Sequence, residues 1–180
     1  MASPTKYAAH TPYSDPGSYA DLLQALPTEL EALCATSRNV ITHYRADYPD
    51  LPPNRHGEID SRWLRTILEL DQDRNPFPLA EPRPMKARVA GCCRDHSLFL
   101  VGALREQHVP ARTRVGFADY FSPGYHHDHV VVEFWNGDRW VRTDPELSVA
   151  SRDFDVRDMP VGPGGAVRDG GRGLVAVPGR

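Results

Sequence analysis

The sequence predicts an α+β domain, with N-terminal helices and a further helix packed on an antiparallel sheet formed by the later part of the chain. Three observations carry that expectation. Up to about residue 107 apolar residues recur at helical spacing. Between 111 and 143 they alternate instead, in short runs rich in β-branched and aromatic residues. Asn136-Gly137 separates two of those runs, and this pair suits a two-residue type I′ turn because both turn positions need positive φ.

The elements follow in order. Residues 1–17 are polar and hold Pro4, Pro12 and Pro16, so they read as a flexible arm. Ser18 can cap a short helix over 19–26, and Pro27 suits the first turn of a second over 28–45. Leu30, Leu33, Ser37, Val40, Ile41 and Tyr44 stripe that second helix. Residues 48–57 read as a loop. Asp60 or Ser61 caps a helix reaching about Leu70, with Trp63, Leu64, Ile67 and Leu68 on its buried side. The connector 75–84 holds four prolines. Gly91 permits a tight turn into a helix over 93–107, in which Gly102 and Ala103 allow a neighbour to approach closely. A strand over 111–118, a loop over 119–128, and strands over 129–135 and 138–143 complete one domain spanning 18–150. Residues 151–180 are rich in Gly and Pro and read as a disordered tail that chemistry does not need.

Counting across the hairpin gives the first functional residues. With a two-residue turn Trp135 faces Asp138, and paired residue numbers add to 273. His129 then faces Asp144, Val131 faces Arg142 and Glu133 faces Trp140, while Val130, Val132, Phe134 and Val141 take the core face. A histidine held beside a carboxylate is an oriented general base. The nucleophile for it lies upstream, where Cys93 opens the 93–107 helix. A first-turn cysteine sees the positive end of the helix dipole and unpaired N–H groups, which stabilise thiolate. Cys92 is the rival for that role, and Cys34, inside an apolar stretch, reads as core.

At these residues the chain resembles the transglutaminase-like superfamily of cysteine enzymes. The resemblance is carried by Gly91-x-Cys93-Arg94-Asp95-x-Ser97, Leu104-Arg-Glu-Gln-His-Val-Pro-Ala-Arg112, His129-x-x-x-Glu133 and Arg139-Trp-Val-x-x-Asp-Pro145, in that order. It covers about residues 88–147 and implies a papain-like core with Cys93 as nucleophile, His129 as base and Asp144 as orienting acid. It also implies an acyl donor (a peptide, protein or small-molecule amide or ester) and water or an amine as acceptor, with no cofactor. Tyr125, His126 and His127, on the loop ahead of His129, and His96, one turn along the helix from Cys93, are candidate substrate contacts.

Two other classes stay in view. A binding module could keep the fold without the chemistry, although it would not need Cys, His and Asp together. A zinc-binding structural protein could use His126, His127 and His129, yet the chain has neither C-x-x-C nor H-E-x-x-H, so no metal is expected. A net charge of −3 and a pI near 6.2 provide no footprint for nucleic acid or an anionic membrane. No apolar run approaches the roughly 20 residues that span a bilayer, and residues 1–6 lack the pattern of a secretory leader. Three cysteines, two adjacent, do not make a disulfide framework, so a reducing cytoplasm is the expected location. The Arg-, Ala- and Gly-rich composition suggests a bacterial source.

Overall fold

The computed structural model describes residues 3–122, 124–150, 152–162 and 165–169. Helices α1 (Ala20–Gln24), α2 (Leu30–Val40), α3 (Leu64–Arg74) and α4 (Cys93–Glu106) come before a four-stranded antiparallel sheet. That sheet comprises β3 (Ala111–Ser122), β4 (Tyr125–Trp135), β5 (Trp140–Thr143) and β6 (Val167–Asp169), in the order β5-β4-β3-β6. Two short strands, β1 (Ile41–His43) and β2 (Val89–Gly91), pair in parallel beside α4. The fold is α+β, as expected.

α4 is the centre of the core. It lies against β3 and β4 on one side and against α1, α2 and α3 on others. Asp95 to Arg105 are all buried, which makes α4 a helix covered all round rather than an amphipathic one. Gly102 is required there, because a Cβ on it would sit 2.1 Å from Leu64 Cδ2 of α3. At the polar end Arg105 turns inward, donating to Ala111 O from Nε (3.1 Å) and Nη2 (2.8 Å) and to Ser14 Oγ from Nη1 (2.8 Å).

Several expectations are corrected. The second helix stops at Val40, not Arg45, because the β-branched Ile41 and Thr42 that follow go extended and pair with β2. The expected loop over 119–128 is mostly strand. β3 runs on to Ser122, and β4 starts at Tyr125. Ala118 pairs with His127 and Ser122 with Tyr125, so β3 bulges between them and re-aims Tyr120 and Phe121. The hairpin register is shifted by two: Trp135 pairs with Trp140, Glu133 with Arg142 and Val132 with Thr143. Asn136 does not take positive φ. Its Oδ1 accepts the N–H groups of Asp138 (3.0 Å) and Arg139 (2.9 Å), which makes a four-residue loop over 136–139 with Gly137 alone at positive φ.

The arm and the described part of the tail both make tertiary contacts. Ser14 is fully buried, Tyr13 O accepts the Leu64 N–H at 2.8 Å, and His10 Nε2 meets Glu106 at 3.0 Å. The arm's polar composition therefore supplies partners for α3 and α4. Beyond residue 151, Val156 O accepts the Asp144 N–H at 2.9 Å, the Met159 N–H donates to Arg142 O at 2.8 Å, and β6 covers the free edge of β3. Sheet edges leave backbone groups unpaired, and this segment satisfies them. The remainder of the predicted tail, residues 151, 163, 164 and 170–180, lies outside the described residues. Among the described residues no helix is long and apolar enough to cross a membrane.

Glu133 is structural. Nearly buried, it accepts from Arg112 Nε (2.9 Å), Arg114 Nη2 (3.0 Å) and Arg142 Nη2 (2.8 Å). Burial works against its charge, but the arginines outweigh it and hold the carboxyl at about 2. A carboxyl lowered on folding stabilises fully above its unfolded pKa and loses that contribution as pH falls through its folded one. The stability gap between wild type and Glu133→Gln is therefore expected to narrow by about 3 kcal/mol between pH 6 and pH 2, read from urea unfolding. A gap constant over that range would show that the three arginines do not hold the charge.

Candidate active site

Cys92 caps α4 and Cys93 is its first residue. The Asp95 carboxylate accepts the Cys92 N–H at 2.9 Å, as in a capping box, and Arg94 Nε donates to the same carboxylate at 3.1 Å. Ser97, one turn on, donates its hydroxyl to Val130 O at 2.8 Å and so ties the start of α4 to β4. That tie brings Cys93 beside His129. Because the register shift is two residues and not one, His129 and Asp144 stay on one face and meet diagonally, not directly across.

His129 is 3% exposed and Asp144 1%. His129 Nε2 and Asp144 Oδ2 are 2.7 Å apart. Tyr120 donates its hydroxyl to the same oxygen at 2.8 Å, and the Glu146 N–H donates to Asp144 Oδ1 at 3.0 Å. Burial opposes the charge on Asp144, yet the bonds from His129, Tyr120 and Glu146 lower its pKa below the ordinary value. Burial likewise opposes an imidazolium at His129, but Asp144 outweighs it and the pKa is raised. Cys93 Sγ, a ring nitrogen of His129 and a carboxylate oxygen of Glu146 all lie within 4.8 Å of one another. With Nε2 committed to Asp144, Nδ1 is the nitrogen with a lone pair to offer.

The adjacent thiols interact. The bond from Cys93 brings Cys92 down to about 7, while that bond and burial push Cys93 up. Taken alone, this ordering favours ionising Cys92. The geometry points the other way: Cys92 directs its S–H at the Asp95 carboxylate at 3.5 Å, whereas Cys93 Sγ lies within 4.8 Å of a His129 ring nitrogen. Cys34, 2% exposed, is raised to about 12 by burial and is core, as expected.

The other candidates separate. His96 is 2% exposed and meets Ser37 Oγ through Nδ1 at 3.1 Å. Burial lowers its pKa to about 3, and it does not line the cleft beside Cys93 and His129, where it was expected to meet substrate. His126 lies on β4 and pairs with Asp119, away from His129. His127 meets Ser122 Oγ at 3.1 Å and lines the cleft, with the exposed Tyr125 ring edge-on to it at 4.6 Å. The histidines of the 126–129 run thus turn to three different partners and do not converge on an ion. Glu146, Tyr120 and His43 join the site unannounced. Glu146 could have been suspected, since it stands two residues after Asp144. Tyr120 could not, because it reaches Asp144 only through the bulge. Burial, then Asp144, raises Glu146 to about 7, and its Oε1 is 3.9 Å from His43 Nε2.

Cys93 lies between two grooves. The larger, of about 750 Å³, is lined by Tyr7, Leu98, Val101, Val115 and Val130, with Arg112 among its charged members. The smaller, of about 450 Å³, runs past His43, Phe121, His127, His129 and Glu146. The arm supplies Tyr7 and Tyr13 to the larger groove, so it helps build the cleft.

A family profile described as the transglutaminase-like superfamily matches residues 20–145. No curated protein matches the chain. A solved structure of a candidate cysteine protease from Cytophaga hutchinsonii is similar, with 18% identity and a TM-score of 0.48. The alignment covers 78% of this chain but 41% of that one, so this chain spans about two fifths of that protein's length.

Proposed function

The chain belongs to the transglutaminase-like superfamily of cysteine-type enzymes, and on that premise we propose that it is a cysteine-dependent acyl-transfer enzyme acting on an amide or ester. The observation that carries this reading is the succession of Cys93, His129 and Asp144, with Cys93 Sγ within 4.8 Å of a His129 ring nitrogen and 2.7 Å between His129 Nε2 and Asp144 Oδ2. Cys93 gives its proton to His129 Nδ1 and its sulfur attacks the carbonyl carbon. The C–N or C–O bond then breaks, the leaving amine or alcohol takes the proton back from His129, and a thioester remains on Cys93. Water or an amine, deprotonated by the same imidazole, attacks the thioester and restores the thiol. Asp144 holds the tautomer that presents Nδ1 and stabilises the imidazolium. The Cys93 N–H, at the start of α4 where backbone donors are free, is a donor for the tetrahedral oxyanion. Two grooves meeting at one sulfur support a donor on one side and a leaving group or acceptor on the other.

The test is an acyl-enzyme. Wild-type protein incubated with an activated ester and with peptide amides is expected to gain the acyl mass on the peptide containing Cys93. Hydroxylamine should remove it, and Cys93→Ala should prevent it. Adding a primary amine separates the acceptors: a new amide product marks transfer, and free acid alone marks hydrolysis. Acylation confined to Cys92, or none, would overturn the assignment of Cys93.

A further inference from the structure

We infer that Cys93, His129 and Glu146 form a site for Zn²⁺, whose occupancy takes the Cys93 thiol out of use. The site depends only on these three donors; its effect on turnover rests on the acyl-transfer reading. Thiolate, imidazole and carboxylate are the donor types zinc takes, and three protein ligands leave a fourth position open. A tetrahedral zinc, with bonds of about 2.0–2.3 Å, holds its donors roughly 3.3–3.7 Å apart. The three atoms already lie within 4.8 Å of one another. Closing the remaining distance of about an ångström falls to Cys93 and Glu146, the two partly exposed members, by side-chain rotation.

The surroundings fit an ion better than the bare triplet would. A metal-binding histidine is oriented by a carboxylate on its other nitrogen, and here Asp144 holds His129 Nε2 at 2.7 Å while Tyr120 steadies Asp144. Glu146 Oε2 is buried and has no hydrogen-bond partner among the described residues, so this oxygen is open to an ion while Oε1 lies 3.9 Å from His43 Nε2. Its backbone N–H is tied to Asp144 at 3.0 Å, which fixes the residue next to the histidine. Binding replaces the Cys93 S–H bond by Zn–S and releases that proton, together with the Glu146 proton in molecules whose carboxyl is protonated. Thiolate and carboxylate then neutralise the dication, as a half-closed site requires. The fourth position opens on the smaller groove, where water can sit. Ca²⁺ and Mg²⁺ are disfavoured, because they need mostly oxygen ligands and the triplet has one carboxylate.

Co²⁺ provides the readout. Reduced wild-type protein titrated anaerobically with Co²⁺ is expected to bind one ion, with a near-ultraviolet thiolate-to-cobalt band that Zn²⁺ abolishes by displacement. Cys93→Ser should lose the band, and Cys92→Ser should keep it. Loss of an outer-shell partner typically weakens metal binding about 10–100-fold, so Asp144→Asn should weaken Co²⁺ by that factor and Glu146→Gln by at least about tenfold. Paired His126→Ala and His127→Ala changes should have no effect. Circular dichroism checks that each variant is folded, and His129→Gln serves as a second ligand test if Glu146→Gln is not. No band, a band that survives in Cys93→Ser, or tight binding that ignores both Glu146→Gln and His129→Gln would overturn the site. Iodoacetamide labelling of the metal-free protein separates the two readings: a reactive Cys93 with no cobalt band leaves the acyl-transfer proposal standing and removes the metal site alone.

Discussion

Cys93 in His129→Ala is expected to react with iodoacetamide about 10²- to 10³-fold more slowly than in wild type at pH 7, because each unit of thiol pKa is tenfold in thiolate. In wild type the proton can leave Cys93 for His129 Nδ1, and the sulfur and imidazolium then stabilise each other. Without the imidazole, burial and the bond with Cys92 keep the thiol protonated. The sign of the pH dependence follows from His129. Its pKa is raised by Asp144, so the imidazolium and the attraction it offers the thiolate are fully present below the ordinary histidine value of 6.5, persist above it, and fade only as pH passes the raised folded value. The His129→Ala deficit should therefore be greatest near neutrality and shrink in alkali, where every thiol ionises. Cys92→Ser should retain most of the rate at Cys93. Peptide mass spectrometry of the labelled site reads all three, and labelling of Cys92 at the wild-type rate in Cys93→Ala would transfer the role to Cys92.

The second large effect lies far from the chemistry. Asp71 and Arg83 are fully buried and pair through Nε–Oδ1 (2.6 Å) and Nη2–Oδ2 (2.8 Å). Arg83 also donates to the carbonyls of Pro78 (3.2 Å), Leu79 (3.0 Å) and Glu81 (2.8 Å), which fixes a connector whose prolines cannot donate backbone hydrogen bonds. Removing one partner leaves the other charge buried and unpaired, so Asp71→Leu should cost about 3–5 kcal/mol in urea unfolding. The double variant Asp71→Leu/Arg83→Met should recover part of that loss, because no lone charge remains. A single-variant cost below about 1 kcal/mol, the range of exposed pairs, would show that solvent reaches this pair.

Local patterns explain what could be read in advance. Helical spacing and the turn that Gly91 permits located α4 and placed Cys93 at its first residue, since both are properties of adjacent residues. Alternation located β3, β4 and β5 and put His129 and Asp144 on one face. The two-residue register error did no harm there, because side chains repeat every two residues along a strand. An odd shift would have separated the pair. The turn itself was misread: Asn136 used its side chain, not positive φ, to close the loop.

Composition misled at both ends. The polar arm and the Gly/Pro-rich tail look loose because neither has an apolar period, yet Ser14 is buried and bonded to Arg105, Val156 O accepts the Asp144 N–H, and the Met159 N–H donates to Arg142 O. Their contacts are with residues remote in the chain, which no local pattern encodes.

The sequence by itself determined the fold class and the family and singled out Cys93, His129 and Asp144 as candidates, because these rest on period, parity and motif, all of which are local. Only the tertiary structure showed that Cys93 Sγ lies within 4.8 Å of a His129 ring nitrogen, that Tyr120 and Glu146 both bond Asp144, and that His96 is buried. Those outcomes depend on how α4 packs against β4 and on where β3 bulges. Packing of that kind is set by contacts across long separations, and a linear pattern carries no record of it.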